Sequence, residues 1–132
     1  MVALMGDGSE QLVIEHAVNL SNDLKANLVV IHVNDPHAGK MSMMMDSPKK
    51  VTADKIQDQI KEYGYESILG KIEFIIAEGE RIPKTIEQHC KDFDLLIVGH
   101  RKMSEFKASI MDSVDEGITN IVACPVLVVQ KD

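Results

Sequence analysis

Three short polar segments contain the residues that could do chemistry, and each follows an apolar run. They read GDGS at 6–9, HVND at 32–35 and GHRK at 99–102. A glycine-rich turn beside a helix N-terminus can accept an anion. Asp7 could bond a ribose hydroxyl or an adenine amino group, or only its own turn. Ser9 is predicted to cap the first helix by accepting hydrogen bonds from its unpaired N–H groups.

The elements that must position these segments are five apolar, β-rich runs with helical patterns between them. Several runs are nearly continuous, which is typical of strands buried on both faces of a parallel sheet. The alternation predicts a doubly wound α/β domain over residues 1–132, with helices on both faces. Ligands of such sheets bind beyond the carboxyl ends of the strands, where the strand order reverses, so the three polar segments should converge there. The predicted strands are Val2–Met5, Leu28–Val33, Ile72–Ala77, Leu95–Val98 and Val126–Val129.

The apolar residues of the helical patterns recur three or four positions apart, as expected for one buried face. Pro83 stands at a helix start, where its missing N–H is tolerated. The four predicted faces are Val13, Ala17, Leu20 and Leu24; Ile56, Ile60 and Tyr63; Ile82, Ile86 and Phe93; and Met111, Val114, Ile118 and Ile121.

Composition excludes several classes of protein. The chain has 132 residues and a net charge of -7 without a basic stripe, which argues against nucleic-acid binding. No apolar run is long enough for a membrane helix, and no signal peptide is recognisable, so we expect a cytosolic protein without a membrane partner. The two cysteines, Cys90 and Cys124, have no metal-ligand spacing and are expected to be buried apolar residues.

The segment Asn34–Lys50 interrupts the pattern and contains Met41, Met43, Met44 and Met45. A connection this long in a compact domain is usually functional or mobile. The methionines could pack on a helix or a partner subunit, form an adaptable lid, or bind copper(I) through their thioethers.

Five motifs in order carry a family resemblance: DGSE, VVIHV, GE-x-x-P, DLLIVGH and CPVLVV. Together they resemble the universal stress protein family over essentially the whole chain. The resemblance implies the strand order 3-2-1-4-5 and a stress-linked function in the cytosol. It also implies a homodimer through the last strand, Val126 to Gln130, whose apolar edge would otherwise be exposed.

The nucleotide-binding branch of that family carries G-x2-G-x9-G-[S/T] after strand four. Here Gly99 matches the first glycine and Ser113 the final hydroxyl, but Lys102 and Asp112 replace the other two glycines. A carboxylate ~4 Å from a phosphate charge repels it by about 4 kcal/mol at an effective dielectric constant of ~20. The segment therefore resembles the branch without the full motif, and no cofactor is expected. The alternative is a protein that binds ATP or AMP with Mg²⁺.

The resemblance transfers a degenerate pocket to six positions of this chain. Val33 would offer its backbone to adenine, although it could equally be an ordinary strand residue. The six residues are Asp7, Val33, Gly99, Lys102, Ser113 and Val114.

Enzyme classes are harder to support from the residues. The loop at 6–9 is too short to match the glycine- and serine-rich loop of related ATP-cleaving folds. No aspartate ends strand three, as a phosphoacceptor domain requires, and no G-x-G-x-x-G follows a strand. Asp7, Asp35 and Asp112 could hold a metal only if they come close together. His100 stands near the expected pocket but has no nucleophile beside it. The sequence favours interaction over turnover.

Overall fold

The computed structural model describes residues 1–37, 50–101 and 114–131 of the chain. Strands and helices alternate along it, and a 3-10 helix at Glu66–Lys71 lies between the second helix and the third strand. The elements are β1 (Val2–Ala3), α1 (Gln11–Asp23), β2 (Leu28–Asn34), α2 (Ala53–Glu62), β3 (Ile72–Glu78), α3 (Ile82–Cys90), β4 (Leu96–His100), α4 (Val114–Ile121) and β5 (Val126–Gln130).

The five strands form one parallel sheet in the order β3-β2-β1-β4-β5, which confirms the predicted fold. Helices α1 and α2 cover one face through a core that includes Val13 and Ile56. Helices α3 and α4 cover the other through Ile86 and Ile118. The strand order reverses between β1 and β4, so the carboxyl ends of these two strands frame the expected ligand edge.

Burial explains why the apolar runs become strands. Every residue of β2 is buried, as its continuous apolar pattern predicts. Ile31 and Val30 are almost completely enclosed between the two helical layers. Each such side chain stabilises the fold by about 2 kcal/mol relative to its exposed state.

Two helical predictions are wrong at their ends. Leu24 lies beyond α1 with 64% of its surface exposed, because Lys25 adopts a positive φ of 52° and ends the helix there. The Ala26 N–H then donates to the Ser21 carbonyl at 2.9 Å, a bond typical of a helix C-terminus that ends with one residue in the left-handed conformation. Phe93 likewise lies past the end of α3, although it still packs in the core.

The remaining predictions concern Pro83, the methionines and membrane spans. Pro83 is in the first turn of α3, as expected. Met111 and the methionines at 41, 43, 44 and 45 lie outside the described residues. Within the described ranges, no helix is both long and apolar enough to cross a membrane.

Candidate functional site

The site centres on the loop between β1 and α1, at the carboxyl ends of β1, β2 and β4. Gly6 and Gly8 take positive φ values of 73° and 84°, a conformation that side chains disfavour. Gly6 also packs so closely that an added Cβ would lie 2.8 Å from Cγ1 of Val51. The glycines of the GDGS segment are therefore explained by the shape of the loop.

Glu10 is the residue of this loop whose contacts sequence reasoning missed. Its carboxylate is buried and accepts the Gly6 N–H at 2.8 Å through Oε1. The Met5 N–H donates to both of its oxygens, at 2.8 and 2.9 Å. Burial raises the pKa of this carboxyl group, although the backbone donors and Lys131 oppose the shift. The N–H groups of Met5 and Gly6 are thus hydrogen-bonded to an acid of the chain itself.

Asp7 and Ser9 form a local turn, and the prediction that Ser9 caps α1 is wrong. The Ser9 N–H donates to Asp7 Oδ1 at 3.0 Å, and the Ser9 hydroxyl donates to the same oxygen at 2.6 Å. Glu10 is the residue that precedes the helix, and its side chain turns back to the loop. Burial raises the pKa of Asp7, but the Ser9 bonds, Lys131 and Arg101 outweigh it, so the pKa is lowered.

Lys131 reaches this loop from the far end of the chain. It follows β5, and its N–H donates to the His100 carbonyl at 2.9 Å. Its side chain crosses Gly99, where an added Cβ would lie 2.9 Å from Cδ of Lys131. The Nζ atom ends 3.4 Å from Ser9 Oγ, where it can donate a hydrogen bond. The ammonium group lowers the pKa values of Asp7 and Glu10, so the charges of this loop are largely balanced from within.

Gly99 is placed by packing against α1 as well as by Lys131. A Cβ at this position would come within 2.8 Å of Cγ2 of Val13, which is fully buried. Close helix–strand packing therefore accounts for this glycine without a ligand.

Val33 lies in β2 opposite Ala77 of β3. The Leu4 N–H donates to the Ile31 carbonyl at 3.0 Å, so the backbone of Ile31 faces β1. Alternate residues of a strand direct their backbone groups to the same neighbour, so those of Val33 also face β1. They do so beyond Ala3, the last residue of that strand. This is a position from which backbone groups can meet a ligand.

A buried polar cluster beside Val33 fixes the ends of β1 and β2. The His32 ring donates from Nδ1 to the Leu4 carbonyl at 2.7 Å, and its Nε2 lies 3.1 Å from Asn34 Oδ1. Asn34 donates to the Val51 carbonyl at 2.8 Å and accepts the Val51 N–H at 3.0 Å. His32 and Asn34 are therefore structural residues that hold Val51 against the loop.

Gln59 of α2 and Tyr63, the residue after this helix, hydrogen-bond to carbonyl groups of the loop. Gln59 Nε2 donates to the Gly6 carbonyl at 2.9 Å, and the Tyr63 hydroxyl donates to the Gly8 carbonyl at 3.0 Å. Glu10 accepts hydrogen bonds from the N–H groups of the loop, and these two side chains donate to its carbonyl groups. Both kinds of backbone group in the loop therefore have partners within the chain.

The other predicted site residues are placed in part. Val114 begins α4, and His100 ends β4 with Arg101 next in the chain. Lys102 and Ser113 lie outside the described residues, as does Asp112. Across the described ranges, no group of three or more His, Cys, Asp or Glu side chains gathers as a metal site.

A separate open cleft of about 340 Å³ lies at the opposite edge of the sheet. It sits at the start of β2 and β3, near Asn27 and Ile72. That edge is remote from the switch point, and its lining offers no cluster of reactive groups, so we place the functional site at the loop.

The described residues of this edge offer polar groups at which a ligand can bind. The Ser9 hydroxyl donates to the Asp7 carboxylate and accepts from the Lys131 ammonium group. The edge offers the backbone of Val33, the hydroxyl of Ser9 and the balanced charges of Asp7 and Lys131. These groups suit a polar ligand of low charge.

Comparison with known proteins agrees with the fold. The model of the universal stress protein family matches residues 1–130. Universal stress protein YxiE of Bacillus subtilis (strain 168) is 24% identical over 145 residues, which cover 98% of this chain and 97% of that protein.

Solved structures show the same architecture. A universal stress protein in complex with cAMP superposes with a TM-score of 0.70 at 18% identity, over 99% of this chain and 94% of that one. UspA from Lactobacillus plantarum gives a TM-score of 0.57 at 18% identity, over 97% and 95%. A family member from Burkholderia pseudomallei gives 0.55 at 20% identity, over 97% and 92%. With the match of the family model over nearly its whole length, the chain belongs to the universal stress protein family.

Proposed function

We propose that this chain is a cytosolic, homodimeric universal stress protein that acts in the stress response through interactions, and that its adenine-nucleotide pocket is degenerate. The observation that carries the proposal is the Glu10 carboxylate on the N–H groups of Met5 and Gly6. These donors lie in the loop after β1, beside the switch point at which ligands of such sheets bind. Because an internal acid already occupies them, a phosphate gains no hydrogen bond there and meets a negative group instead.

The charges around the loop support the same proposal. The negative charges of Asp7 and Glu10 are compensated by the positive charges of Lys131 and Arg101. The described edge therefore carries no surplus of positive charge that would attract a triphosphate. In the sequence, Lys102 and Asp112 replace two glycines of the family's phosphate-binding pattern. Gly99, the glycine that remains, has a packing role against Val13. We therefore propose that Asp7, Val33, Gly99, Lys102, Ser113 and Val114 form a pocket without physiological ATP binding.

The free edge of β5 supports a dimer. The Leu96 N–H donates to the Pro125 carbonyl, and the Lys131 N–H donates to the His100 carbonyl, both at 2.9 Å. By alternation, Leu127 and Val129 bond to β4, whereas Val126, Val128 and Gln130 direct their backbone groups outward. Val128 is 40% exposed. An apolar outer edge of this kind is suited to pairing with the same strand of a second copy.

A second candidate function is the binding of an adenine nucleotide with little phosphate charge. Two observations favour it: the backbone of Val33 faces the open end of β1, and a structural neighbour is a universal stress protein in complex with cAMP. The one or two negative charges of a monophosphate are repelled by the two acids less than the charges of a triphosphate are. AMP or cAMP is therefore the ligand we would expect if the pocket is occupied, with ATP and Mg²⁺ disfavoured.

Native mass spectrometry of the freshly purified protein tests the proposal. We expect a dimer whose mass equals twice that of the chain, without a retained nucleotide. A retained nucleoside triphosphate would contradict the degenerate pocket. A retained monophosphate would replace the main proposal by the second candidate, and a monomeric mass would contradict the dimer.

A further inference from the structure

The two cysteines of the chain meet at the edge of the sheet opposite the candidate site. Cys90 is the last residue of α3 and is almost fully buried, with its Sγ 3.6 Å from the Glu87 carbonyl. Cys124 lies in the turn before β5 and is partly buried. Cys90 is a buried member of the apolar cluster on the α3 and α4 face of the sheet, and Cys124 packs against that cluster.

Backbone hydrogen bonds hold both cysteines in place. The Phe93 N–H donates to the Cys90 carbonyl at 3.1 Å, which fixes the turn between α3 and β4. The Leu96 N–H donates to the Pro125 carbonyl at 2.9 Å, which fixes the residue after Cys124 against the start of β4. These bonds bring the segment before Cys124's strand and the turn after Cys90 together at the start of β4, although the two cysteines are remote in the sequence.

The two side chains are in direct contact. Burial, together with a hydrogen bond to the Cys124 side chain, raises the pKa of the Cys90 thiol to about 11. Cys90 is therefore a thiol at neutral pH and a poor first target for an oxidant, because the thiolate is the nucleophile. Cys124 is the more accessible of the two sulfurs.

We propose that Cys90 and Cys124 are an oxidisable pair that forms an intramolecular disulfide when the protein meets a hydroperoxide. In the first step, the Cys124 sulfur attacks the O–O bond of hydrogen peroxide, becomes a sulfenic acid and releases water. In the second step, the Cys90 sulfur attacks the sulfenic sulfur, the S–S bond forms and a second water leaves. Two thiols lose two electrons and two protons, and one peroxide is reduced to two waters.

The disulfide would raise the stability of the protein because it closes a long loop of the chain. It would join the end of α3 to the entry of β5 and close a loop that contains β4 and α4. A cross-link of this length restricts the unfolded chain more than the folded one. The oxidised protein should therefore melt several degrees higher than the reduced protein. The high pKa of Cys90 makes the second step depend on contact between the sulfurs, so the response should be slow and selective for the pair.

The test treats the full chain, first reduced and then freed of reductant, with hydrogen peroxide. Free thiols are then alkylated with N-ethylmaleimide in denaturant, and peptides are mapped without reduction. Mapping is required because the eight methionines also take up oxygen and change the intact mass. We expect a Cys90–Cys124 linked peptide, loss of both alkylation sites, and recovery of both after dithiothreitol.

Single variants separate a pair from two independent cysteines. In Cys90→Ser, peroxide should leave Cys124 as a sulfenic acid that dimedone traps, and the melting temperature should not rise. In Cys124→Ser, Cys90 should stay reduced because it is buried. Dimedone capture at Cys124 of the wild-type protein while Cys90 remains alkylatable would overturn the proposal. A disulfide between two chains in place of the linked peptide would overturn it as well.

Discussion

The carboxylate of Glu10 lies 2.8 Å from the backbone nitrogen of Gly6, so the acid at the start of α1 binds the loop that precedes it. The contact completes the loop without a ligand, because the same carboxylate also binds the Met5 N–H. A buried acid that has this role should be important for stability and should impose a pH dependence.

Replacing Glu10 with alanine should lower the free energy of unfolding by about 2 kcal/mol, because two backbone N–H groups near the loop lose their acceptor. Chemical denaturation measures the change. Glu62→Ala is the matched control, since Glu62 is exposed at the end of α2 and should change stability by less than about 0.5 kcal/mol. Equal effects of the two variants would contradict the assigned role of Glu10.

The raised pKa of Glu10 predicts the sign of a pH effect. Burial raises the folded pKa above the ordinary value of 4.5, so the folded state binds this proton more tightly than the unfolded state. The resulting stabilisation is complete below 4.5 and is lost as the pH rises through the folded pKa. Asp7 acts in the opposite sense: its lowered pKa gives stability that is present above 3.8 and lost as the pH falls.

Glu10→Gln, which cannot titrate, isolates the effect. The advantage in unfolding free energy of the wild type over Glu10→Gln should be larger near pH 4 than near pH 7. An advantage that grows with pH would mean that the backbone donors outweigh burial.

Lys131 should control the ionisation of both loop acids. In Lys131→Met, the pKa values of Asp7 and Glu10 should both rise, since the ammonium group lowers each of them. Carboxyl-carbon NMR during a pH titration reports the two groups separately. Lys50→Met is the control, because Lys50 pairs with Glu78 at 2.7 Å on the surface. Unchanged pKa values of Asp7 and Glu10 in Lys131→Met would show that the lysine does not compensate the negative charge of the loop.

Gly99→Ala should destabilise the fold by about 1–3 kcal/mol, because its Cβ meets the buried Val13 side chain. Gly70→Ala is the control, since nothing lies within 4 Å of the Cβ that it would add. Thermal and urea unfolding compare the two. A Gly99→Ala protein as stable as the wild type would remove the packing explanation and leave a ligand as the reason for this glycine.

Val128→Pro tests the proposed dimer edge without breaking the sheet. The backbone of Val128 faces outward, so proline removes a donor for which the described part of the chain shows no acceptor and which a partner strand would use. Light scattering should give a folded monomer. Val129→Pro is the contrast, because Val129 bonds to β4 and its replacement should unfold the chain. A Val128→Pro protein of unchanged dimer mass would place the interface elsewhere.

The sequence predicts the strands and the α/β class from its apolar runs, which are typical of strands buried on both faces of a sheet, and it implies the strand order only through the family resemblance. It predicts the site less well. The role of Glu10 depends on positive φ values at Gly6 and Gly8 that bring two N–H groups to one carboxylate. The contact of Lys131 with Ser9 depends on the tertiary fold, since the lysine follows β5 and is remote from Ser9 in the sequence. The capping prediction for Ser9 is wrong because its hydroxyl bonds Asp7 in preference to the helix.

Isothermal titration of the full chain with ATP and Mg²⁺ is the most direct test of the degenerate pocket. Two acids and occupied backbone donors predict no saturable heat up to millimolar nucleotide, with any signal confined to AMP or cAMP. A micromolar dissociation constant for ATP would contradict the account, because a triphosphate would then be held where Glu10 already fills the loop.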